Sequence, residues 1–514
     1  MNKSFPDLTE DIPRGVPSRY LKQQTVPQAR FLDTAALYKN SLLSYDPDRP
    51  GRKILVGAIG DRLIGIDDDR HMLKVGGSRA GKSVGLKANL LLYRGSILAT
   101  DPKGELANIT AAQRKALGQK VYVLDPFNST AERIDKFRAS YNPMSVLTLD
   151  NPFIIEDTRL IVEAIVIQNP NEKDPHWNDS AGNKMEGVIL HVATDPRYEG
   201  RRNLVTVRDL IKIAMMPDPS QVDEDDPMCA LEVEMLENAE RLKQHETTAD
   251  IGNAIEGAAR DFYEKSDRER DSVLSTVRRH TKFLDYTAMR KILTGHDFDL
   301  RDLKRDPNGV SIYLCFPPTR TDICNRWLRL FVNQLLNAME REKTKPKAPV
   351  LTCLDEFPVL GYMKTLESAA GLIASYDVKL WVILQDWGQG KALYGDRWET
   401  FTGNAGILQF FGNNDLATTE YISKKLGKTP IEAARLGEVG REQQEAGLNG
   451  KSSSVELYDL MIPEEISRHF ARNDKFKRQL VLWAGYYPMI LQRVEYWNET
   501  SPVYKHFRGK FASP

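Results

Sequence analysis

A glycine-rich segment early in the sequence has the composition of a phosphate-binding loop. It fits the pattern G-x-x-x-x-G-K-[ST], and its eight residues are Gly76, Gly77, Ser78, Arg79, Ala80, Gly81, Lys82 and Ser83. Glycines let the backbone wrap a phosphate with its N–H groups, and the N-terminus of a following helix adds positive potential. We expect Lys82 to reach the β and γ phosphates and Ser83 to hold Mg²⁺. The segment therefore predicts a nucleotide site with ATP and Mg²⁺ as ligands.

An acidic pair follows an apolar run much later in the chain. Residues 350–354 read Val-Leu-Thr-Cys-Leu and lead directly into Asp355 and Glu356. Asp355 suits Mg²⁺ coordination through water, and Glu356 suits polarising the water that attacks a phosphate. Alone this signal is weak, because acidic residues often end strands harmlessly. Beside a phosphate-binding loop, the pair favours hydrolysis over nucleotide binding alone.

Further polar residues end neighbouring strand-like runs. Gln385 follows the run 380–384, where it either senses the γ-phosphate and couples hydrolysis to movement, or simply caps the next helix. Asp101 and Lys103 follow another buried run and reach the same carboxyl edge of the sheet, where ligands of open α/β sheets bind. They either face the nucleotide or a pore, or they shape a turn.

These residues need a parallel sheet to bring them together. Residues 72–127 alternate between apolar runs and helical stretches, and a βαβαβ pattern is typical of a parallel sheet with covering helices. The predicted strands are Met72–Val75, Ser96–Thr100, Lys120–Leu124, Val310–Phe316, Val350–Leu354, Leu380–Leu384 and Ile407–Phe411. The predicted helices among them are Gly81–Tyr93, Gly104–Leu117 and Asp322–Glu342.

The middle of the sequence has a different hydrophobic pattern. Apolar residues there recur at helical spacing, as in Leu160, Ile161, Ala164 and Ile165, and no convincing strand occurs. We therefore predict an all-α domain at 151–296 inserted into an α/β domain at 56–150 and 297–514, after an N-terminal segment at 1–55. Residues 428–454, rich in Gly, Glu and Ser, are expected to form a loop or lid. Gln479–Ala484 and Met489–Tyr496 are expected to form a terminal hairpin or edge.

Composition limits the partners and the compartment. Lys plus Arg and Asp plus Glu both number 71 in 514 residues, so the net charge is zero and any nucleic acid must be met locally, in a pore or on one face. The four cysteines form no CxxC pair, which is typical of a reducing compartment such as the cytoplasm. The sequence shows no signal-peptide pattern and no apolar run near the roughly 20 residues of a membrane helix. A soluble chain is expected.

Taken together and in this order, the motifs resemble those of the TraG-type coupling proteins of type IV secretion, the conjugative DNA-transfer ATPases. The resemblance covers about residues 28–500. Besides the phosphate-binding loop, it is carried by Ala29-Arg30-Phe31, Asp101-Pro102-Lys103-Gly104-Glu105-Leu106, Tyr141-Asn142-Pro143, Asp174-Pro175-His176-Trp177, Leu354-Asp355-Glu356-Phe357, Leu360-Gly361, Gln385, Asn404 and Gly412-Asn413-Asn414-Asp415.

The resemblance implies a RecA-like motor domain in a hexameric ring, with nucleotide sites between subunits and an all-α domain facing the cytoplasm. Such proteins work at the cytoplasmic face of the bacterial inner membrane. They recruit relaxase-bound DNA, accessory proteins or effectors, here through the all-α domain, and deliver them to the secretion channel. Single- or double-stranded DNA is an expected partner. Lys82 matches the family's phosphate-loop lysine, Asp355 and Glu356 its acidic pair, and Gln385 its sensing glutamine.

The sequence departs from the family pattern at two points. Members usually carry membrane helices just upstream of the Ala-Arg-Phe element, so either an anchor was removed here or a membrane partner supplies it. Many relatives also carry an arginine where this chain reads Ile373-Ala374-Ser375-Tyr376-Asp377-Val378-Lys379. The trans-acting arginine is thus unassigned, and Lys379 is a poor substitute because it lacks the guanidinium fork. Two alternatives stay open: a recruitment receptor whose ATP site drives assembly, and a DNA pump or helicase of the same superfamily.

Overall fold

The apolar runs of the sequence become the strands of one large sheet. The computed structural model describes residues 29–167, 176–219, 228–436 and 451–512. Its strands are β1 (Ile54–Ile59), β2 (Arg62–Ile66), β3 (His71–Gly76), β4 (Ile97–Pro102), β5 (Lys120–Leu124), β6 (Val310–Phe316), β7 (Val350–Leu354), β8 (Val378–Leu384), β9 (Ala405–Phe411), β10 (Lys428–Leu436), β11 (Lys451–Asp459), β12 (Arg478–Trp483) and β13 (Met489–Gln492). All seven predicted strands of the α/β domain are present.

Within the described residues, eleven strands form one sheet in the order β2-β1-β13-β12-β9-β3-β8-β7-β4-β6-β5. The seven strands from β9 to β5 are mutually parallel. The other four add to β9 as antiparallel pairs. Strands such as β6 are buried along their whole length, which explains their continuous apolar sequence. The carboxyl ends of the parallel strands meet at one edge of the sheet.

Helices cover both faces of this sheet and fill the long interval between β5 and β6. They are α1 (Thr34–Lys39), α2 (Lys82–Leu92), α3 (Glu105–Ala116), α4 (Ile154–Ile165), α5 (His176–Thr194), α6 (Leu204–Lys212), α7 (Ala230–Lys243), α8 (Ala249–Tyr263), α9 (Asp267–Thr281), α10 (Thr287–Thr294), α11 (Asp302–Arg305), α12 (Thr321–Arg341), α13 (Lys364–Ala369), α14 (Trp387–Tyr394), α15 (Trp398–Gly403), α16 (Leu416–Leu426) and α17 (Pro463–His469).

The interval between β5 and β6 is helical, as the apolar spacing predicts. Besides the helices, its described part has short turns and two isolated bridges, one between Pro217 and Cys229 and one that joins Arg138 to Val123 of β5. The buried side chains of this region, such as Ile161 and Val188, belong to the same apolar cluster as Leu73 and Leu314 of the sheet. The helical region therefore shares a core with one face of the sheet. Asp174 and Pro175 of the family-like motif lie outside the described residues, and the domain boundaries stay predictions.

Helix α12 joins the sheet to the helical region. Its buried side chains include Trp327 and Phe331. Asn333 Nδ2 donates to the oxygen of Leu160 on α4 at 3.1 Å, and Gln334 Nε2 donates to the oxygen of Pro143 at 2.6 Å. Helix α12, which follows β6 and precedes β7 in the chain, therefore connects the sheet to α4.

Two expectations about the chain's periphery change. The loop or lid expected at 428–454 is wrong at both of its ends, because β10 and β11 pair there over nine residues as a separate two-stranded sheet. Residues 437–450 lie outside the described part. The late hairpin exists as β12 and β13, but it lies inside the sheet, since β13 also pairs with β1. On this side the sheet ends at β2, and neither β1 nor β2 is among the predicted strands.

None of the helices in the described ranges combines the length and the hydropathy that a membrane span needs.

Candidate nucleotide-binding site

The phosphate-binding loop connects β3 to α2 at the carboxyl edge of the sheet. Gly81 has a φ of +93°, in the left-handed region that glycine tolerates, and α2 begins at the next residue. A Cβ atom added to Gly77 would lie 1.9 Å from the main-chain oxygen of Gly412, so a glycine is required there. Lys82 Nζ donates to the oxygen of Gly76 at 3.0 Å, across the mouth of the loop. Burial lowers the pKa of Lys82, opposed by nearby carboxylates.

The predicted metal ligands lie in direct contact. Ser83 Oγ, on the first turn of α2, donates to Oδ2 of Asp355 at the end of β7, over 2.9 Å. The main chain at Asp355 is fixed from β4, because Thr100 Oγ1 donates to its oxygen at 2.7 Å. Burial raises the pKa of Asp355, helped by the charge of Glu356 and opposed by the Ser83 hydrogen bond. Two residues 272 positions apart thus form one candidate Mg²⁺ site.

Glu356 and Gln385, which follow the adjacent strands β7 and β8, also come together. Gln385 Nε2 lies 3.4 Å from both carboxylate oxygens of Glu356. The main chain of Glu356 is in the left-handed region, with a φ of +58°, which turns it away from the line of β7. The cap of α14 is Asp386, whose carboxylate accepts from Gln389 N at 2.9 Å. The capping alternative for Gln385 is therefore not what the structure shows.

Asp101 and Lys103 shape a turn. The buried carboxylate of Asp101 accepts from the main-chain N–H groups of Leu106 and Ala107, at 3.0 and 2.9 Å, and so caps the start of α3. Burial raises the pKa of Asp101 to about 7. Lys103 is exposed, and its φ is +82°. Of the two readings of this pair, the turn-shaping one fits the contacts.

Two residues near the loop, Arg493 and Lys74, are not among the predicted site residues. Arg493, just after β13, donates from Nη1 to the oxygen of Ala80 at 2.8 Å, and its guanidinium lies 5.2 Å from the ring centre of Phe411. Lys74 is buried on β3 below the loop, with Nζ 4.6 Å from the ring centre of Trp381. Burial lowers the pKa of Lys74 to about 7. The position of Lys74, a lysine within an apolar run, is a sequence signal for a buried charged residue. Arg493 has no comparable signal in the sequence.

Lys379 does not replace the missing arginine. Its side chain is buried on β8, and its ammonium donates to the main-chain oxygens of Asp68 and Arg70. These contacts bury the Lys379 ammonium within the chain and occupy it with main-chain oxygens.

The arrangement can cradle a phosphate chain and hold a divalent metal beside a carboxylate. In the described part of the chain, no group of three or more His, Cys, Asp or Glu side chains could hold a metal ion alone. Ser83 and Asp355 could supply two oxygen ligands, which would suit Mg²⁺ because this ion is usually bound by few protein groups together with substrate phosphates.

Comparison with known proteins gives a consistent result. Residues 20–512 match the model of the family described as "Type IV secretory system Conjugative DNA transfer". The conjugal transfer protein TraG of Escherichia coli is 28% identical over 399 residues, covering 73% of this chain and 59% of TraG. The coupling protein VirD4 of Bartonella quintana is 25% identical over 479 residues, covering 91% of this chain and 69% of VirD4. This chain thus spans 59% of the length of TraG and 69% of VirD4.

Solved structures of a plasmid coupling protein share the fold. The unbound bacterial conjugative coupling protein TrwBdeltaN70 superposes with a TM-score of 0.62 at 15% identity, covering 95% of this chain and 97% of that one. TrwB with the ATP analogue ADPNP gives 0.58 at 16% identity, covering 92% and 96%. TrwB with ADP and Mg²⁺ gives 0.58 at 15% identity, covering 93% and 98%. The RecA-like α/β fold with its P-loop is confirmed, and the protein belongs to the type IV secretory system conjugative DNA transfer family.

Proposed function

We propose that this protein hydrolyses ATP and uses the energy to deliver DNA–protein complexes or protein substrates to a type IV secretion or conjugation channel. The observation that carries the proposal is the convergence of Ser83, Asp355, Glu356 and Gln385 at one sheet edge beside a glycine-lined loop. Membership of the conjugative DNA transfer family supports the transport role.

The loop fits a nucleotide triphosphate chain. Its main-chain N–H groups and the start of α2 offer positive potential, and Lys82 adds a cation that can leave the Gly76 oxygen for a phosphate. Ser83 and Asp355 would hold Mg²⁺, which neutralises charge on the phosphates. TrwB, which has the same fold, has been solved with ADPNP and with ADP and Mg²⁺.

Hydrolysis needs a group that orients and deprotonates the attacking water. Glu356 is the candidate, because it ends the strand of the metal ligand and its carboxylate is partly exposed at the sheet edge. We propose that Gln385, whose Nε2 lies 3.4 Å from both Glu356 oxygens, orients this carboxylate and responds to a γ-phosphate. We propose Lys82, Glu356 and Gln385 as the residues of the reaction.

The working form proposed is a homo-hexamer whose nucleotide sites lie between neighbouring molecules. The helical region between β5 and β6 is proposed to bind a relaxase, an accessory protein or an effector. DNA is proposed to contact one local face or a central pore, because the net charge of the chain is zero. Action at the cytoplasmic face of the inner membrane, through an anchor or a membrane partner, completes the proposal.

The test is steady-state ATP hydrolysis by the wild type, Lys82→Ala and Lys115→Ala, with and without single-stranded DNA, over a range of protein concentrations. Lys115 is an exposed lysine on α3, so its variant controls for loss of a positive charge. We expect Lys82→Ala to lose turnover by at least about 100-fold and Lys115→Ala to keep it. The rate per molecule should rise steeply with protein concentration and rise again with DNA.

Equal turnover in Lys82→Ala and the wild type would remove the site assignment. Nucleotide binding without turnover under every condition would favour the receptor function, in which ATP drives assembly only. Unwinding of tailed duplexes by the wild type would favour the helicase instead.

A further inference from the structure

Arg329 is a buried arginine in the middle of α12. Its side chain is 5% exposed, and burial lowers its pKa to about 10. A buried charge is costly unless hydrogen-bonding partners compensate it. Within the described residues, the partners of this guanidinium are four main-chain carbonyl oxygens, and they belong to two different parts of the molecule.

One pair of these oxygens ends helix α4 in the helical region. Arg329 Nε donates to Ala164 O at 3.1 Å, and Nη2 donates to Glu163 O at 3.4 Å. The last carbonyls of a helix have no partner within the helix, and a positive charge is favourable there. Arg329 thus acts as a C-terminal cap supplied by another helix.

The other pair belongs to the turn that follows Glu356. Arg329 Nη1 donates to Leu360 O at 2.9 Å and to Tyr362 O at 2.6 Å. A short helical turn over Phe357–Leu360 connects these oxygens to Glu356. A shift of this turn therefore changes the direction of the Glu356 side chain.

We infer that Arg329 is a positioning residue which holds the turn bearing Glu356 against the end of α4 and so couples the nucleotide site to the helical region. The inference deepens the proposed ATPase activity and rests on it for its kinetic part. An open pocket of about 210 Å³ lies beside the junction, and Arg329 itself lines it together with Val162 and Lys364, among others.

Two neighbouring residues on α12 provide matched controls, because, among the described residues, one hydrogen-bonds only to the turn after Glu356 and the other only to the helical region. Asn325 Nδ2 donates to Val359 O at 2.7 Å and so contacts the turn alone. Arg326 Nε donates to Ile165 O at 3.0 Å, and its Nη2 lies 3.1 Å from His280 Nδ1, both in the helical region. Arg329 is the member of this trio that spans the junction.

The experiment compares Arg329→Lys, Arg326→Lys and Asn325→Ala with the wild type. Lysine keeps the charge but lacks the fork needed to reach both pairs of oxygens. We expect Arg329→Lys to lower kcat about tenfold or more with KM for ATP within about twofold, because a misplaced catalytic group slows the chemical step. Arg326→Lys should keep kcat, and Asn325→Ala should lower it by a smaller factor.

A second readout does not depend on turnover. Hydrogen exchange is measured with and without Mg²⁺ and ADPNP, and we expect nucleotide to change protection at residues 76–84 and also at 160–167 in the wild type. In Arg329→Lys the change at 160–167 should be lost while that at 76–84 stays. In Asn325→Ala both changes should stay.

Equal kinetic effects of Arg329→Lys and Arg326→Lys, or a change at 160–167 that survives in Arg329→Lys, would overturn the inference. If Arg329→Lys does not fold, an unchanged kcat in Asn325→Ala overturns it. A wild type that shows the exchange response but no turnover would count against the proposed ATPase and leave the coupling supported.

Discussion

Arg493 donates a 2.8 Å hydrogen bond from Nη1 to the main-chain oxygen of Ala80, across 413 positions of sequence. A side chain just beyond the last strand therefore supports the middle of the phosphate-binding loop. The same guanidinium also donates to the oxygens of Lys477 and Arg472. The shape of the phosphate-binding loop thus depends on Arg493 and on the segment around Arg472 and Lys477, which are remote from the loop in sequence.

Removing this support should weaken nucleotide binding. We expect Arg493→Ala to lower affinity for an ATP analogue about tenfold, because a hydrogen bond from a charged group contributes roughly 1.5–3 kcal/mol. Titration with a fluorescent analogue at fixed Mg²⁺ measures this. The control is Arg468→Ala, which removes an exposed arginine of α17 paired with Glu464 on the surface. Equal affinities in the two variants would show that Arg493 does not support the loop.

The tight contact between Gly77 and Gly412 predicts a loss of binding in Gly77→Ala. The added methyl group would lie 1.9 Å from the Gly412 oxygen, so the loop must move and its N–H groups lose their arrangement. We expect nucleotide affinity to fall by about 100-fold or more. The control, Gly257→Ala, adds a methyl group inside α8 with nothing within 4 Å. This change should stabilise the protein by up to about 1 kcal/mol in urea unfolding and keep nucleotide affinity. Similar affinities in both variants would refute the steric argument.

Glu356→Gln should separate binding from hydrolysis. Glutamine keeps the shape of the side chain but cannot accept the proton of the attacking water, so we expect affinity within about threefold and turnover lower by at least about 100-fold. Glu340→Gln, at an exposed position on α12, is the matched control. Equilibrium nucleotide binding and single-turnover hydrolysis measure the two quantities. An unchanged rate would remove Glu356 as the base.

Lys184 predicts a pH dependence of stability. Its ammonium is buried in α5 between Phe262 and Tyr263, 4.2 and 3.9 Å from the ring centres. Burial lowers its pKa from 10.5 to about 7. Between pH 7 and 10.5 the unfolded chain then binds more protons than the folded one, so the contribution of Lys184 to stability rises with pH.

Replacing Lys184 by methionine removes this dependence. At pH 6 we expect Lys184→Met to be more stable than the wild type, by on the order of a few kcal/mol, since a buried charge is no longer required. The difference in unfolding free energy should shrink as pH rises to 10. Urea unfolding at pH 6, 8 and 10 tests this, and a difference that stays constant or grows with pH would contradict it.

The sequence predicts the centre of the sheet well because its strands are apolar on both faces and end at chemically distinctive residues. Val310–Phe316 and Val350–Leu354 have the predicted bounds. The hairpin of β1 and β2 was missed, although Gly60 and Asp61 between its strands are a two-residue turn signal. The loop prediction for 428–454 rests on the Gly, Glu and Ser content of the whole segment. It is wrong at the two ends, where β10 and β11 form a strand pair.

The residues of the candidate site also fall into a group that the sequence predicts and a group that it does not. The residues at the strand ends were assigned from local patterns, because parallel topology brings such ends to one edge. The residues that support the site are not predictable in this way. Arg493 and Arg329 act through hydrogen bonds to main-chain oxygens, and these oxygens belong to segments distant in the sequence. A buried arginine on an amphipathic helix looks like any other arginine in the sequence.

The pairing of β1 with β13 has a consequence for the synthesis of the protein. Ala58 on β1 is opposite Gln492 on β13, so β1 emerges from the ribosome more than 400 residues before its partner. During that time one edge of the β1–β2 hairpin has no neighbour, and exposed strand edges promote aggregation. The nascent chain is therefore prone to aggregation through this edge until β12 and β13 have been synthesised. Messages truncated before the codon for Met489 should yield insoluble products even though they encode the entire phosphate-binding loop.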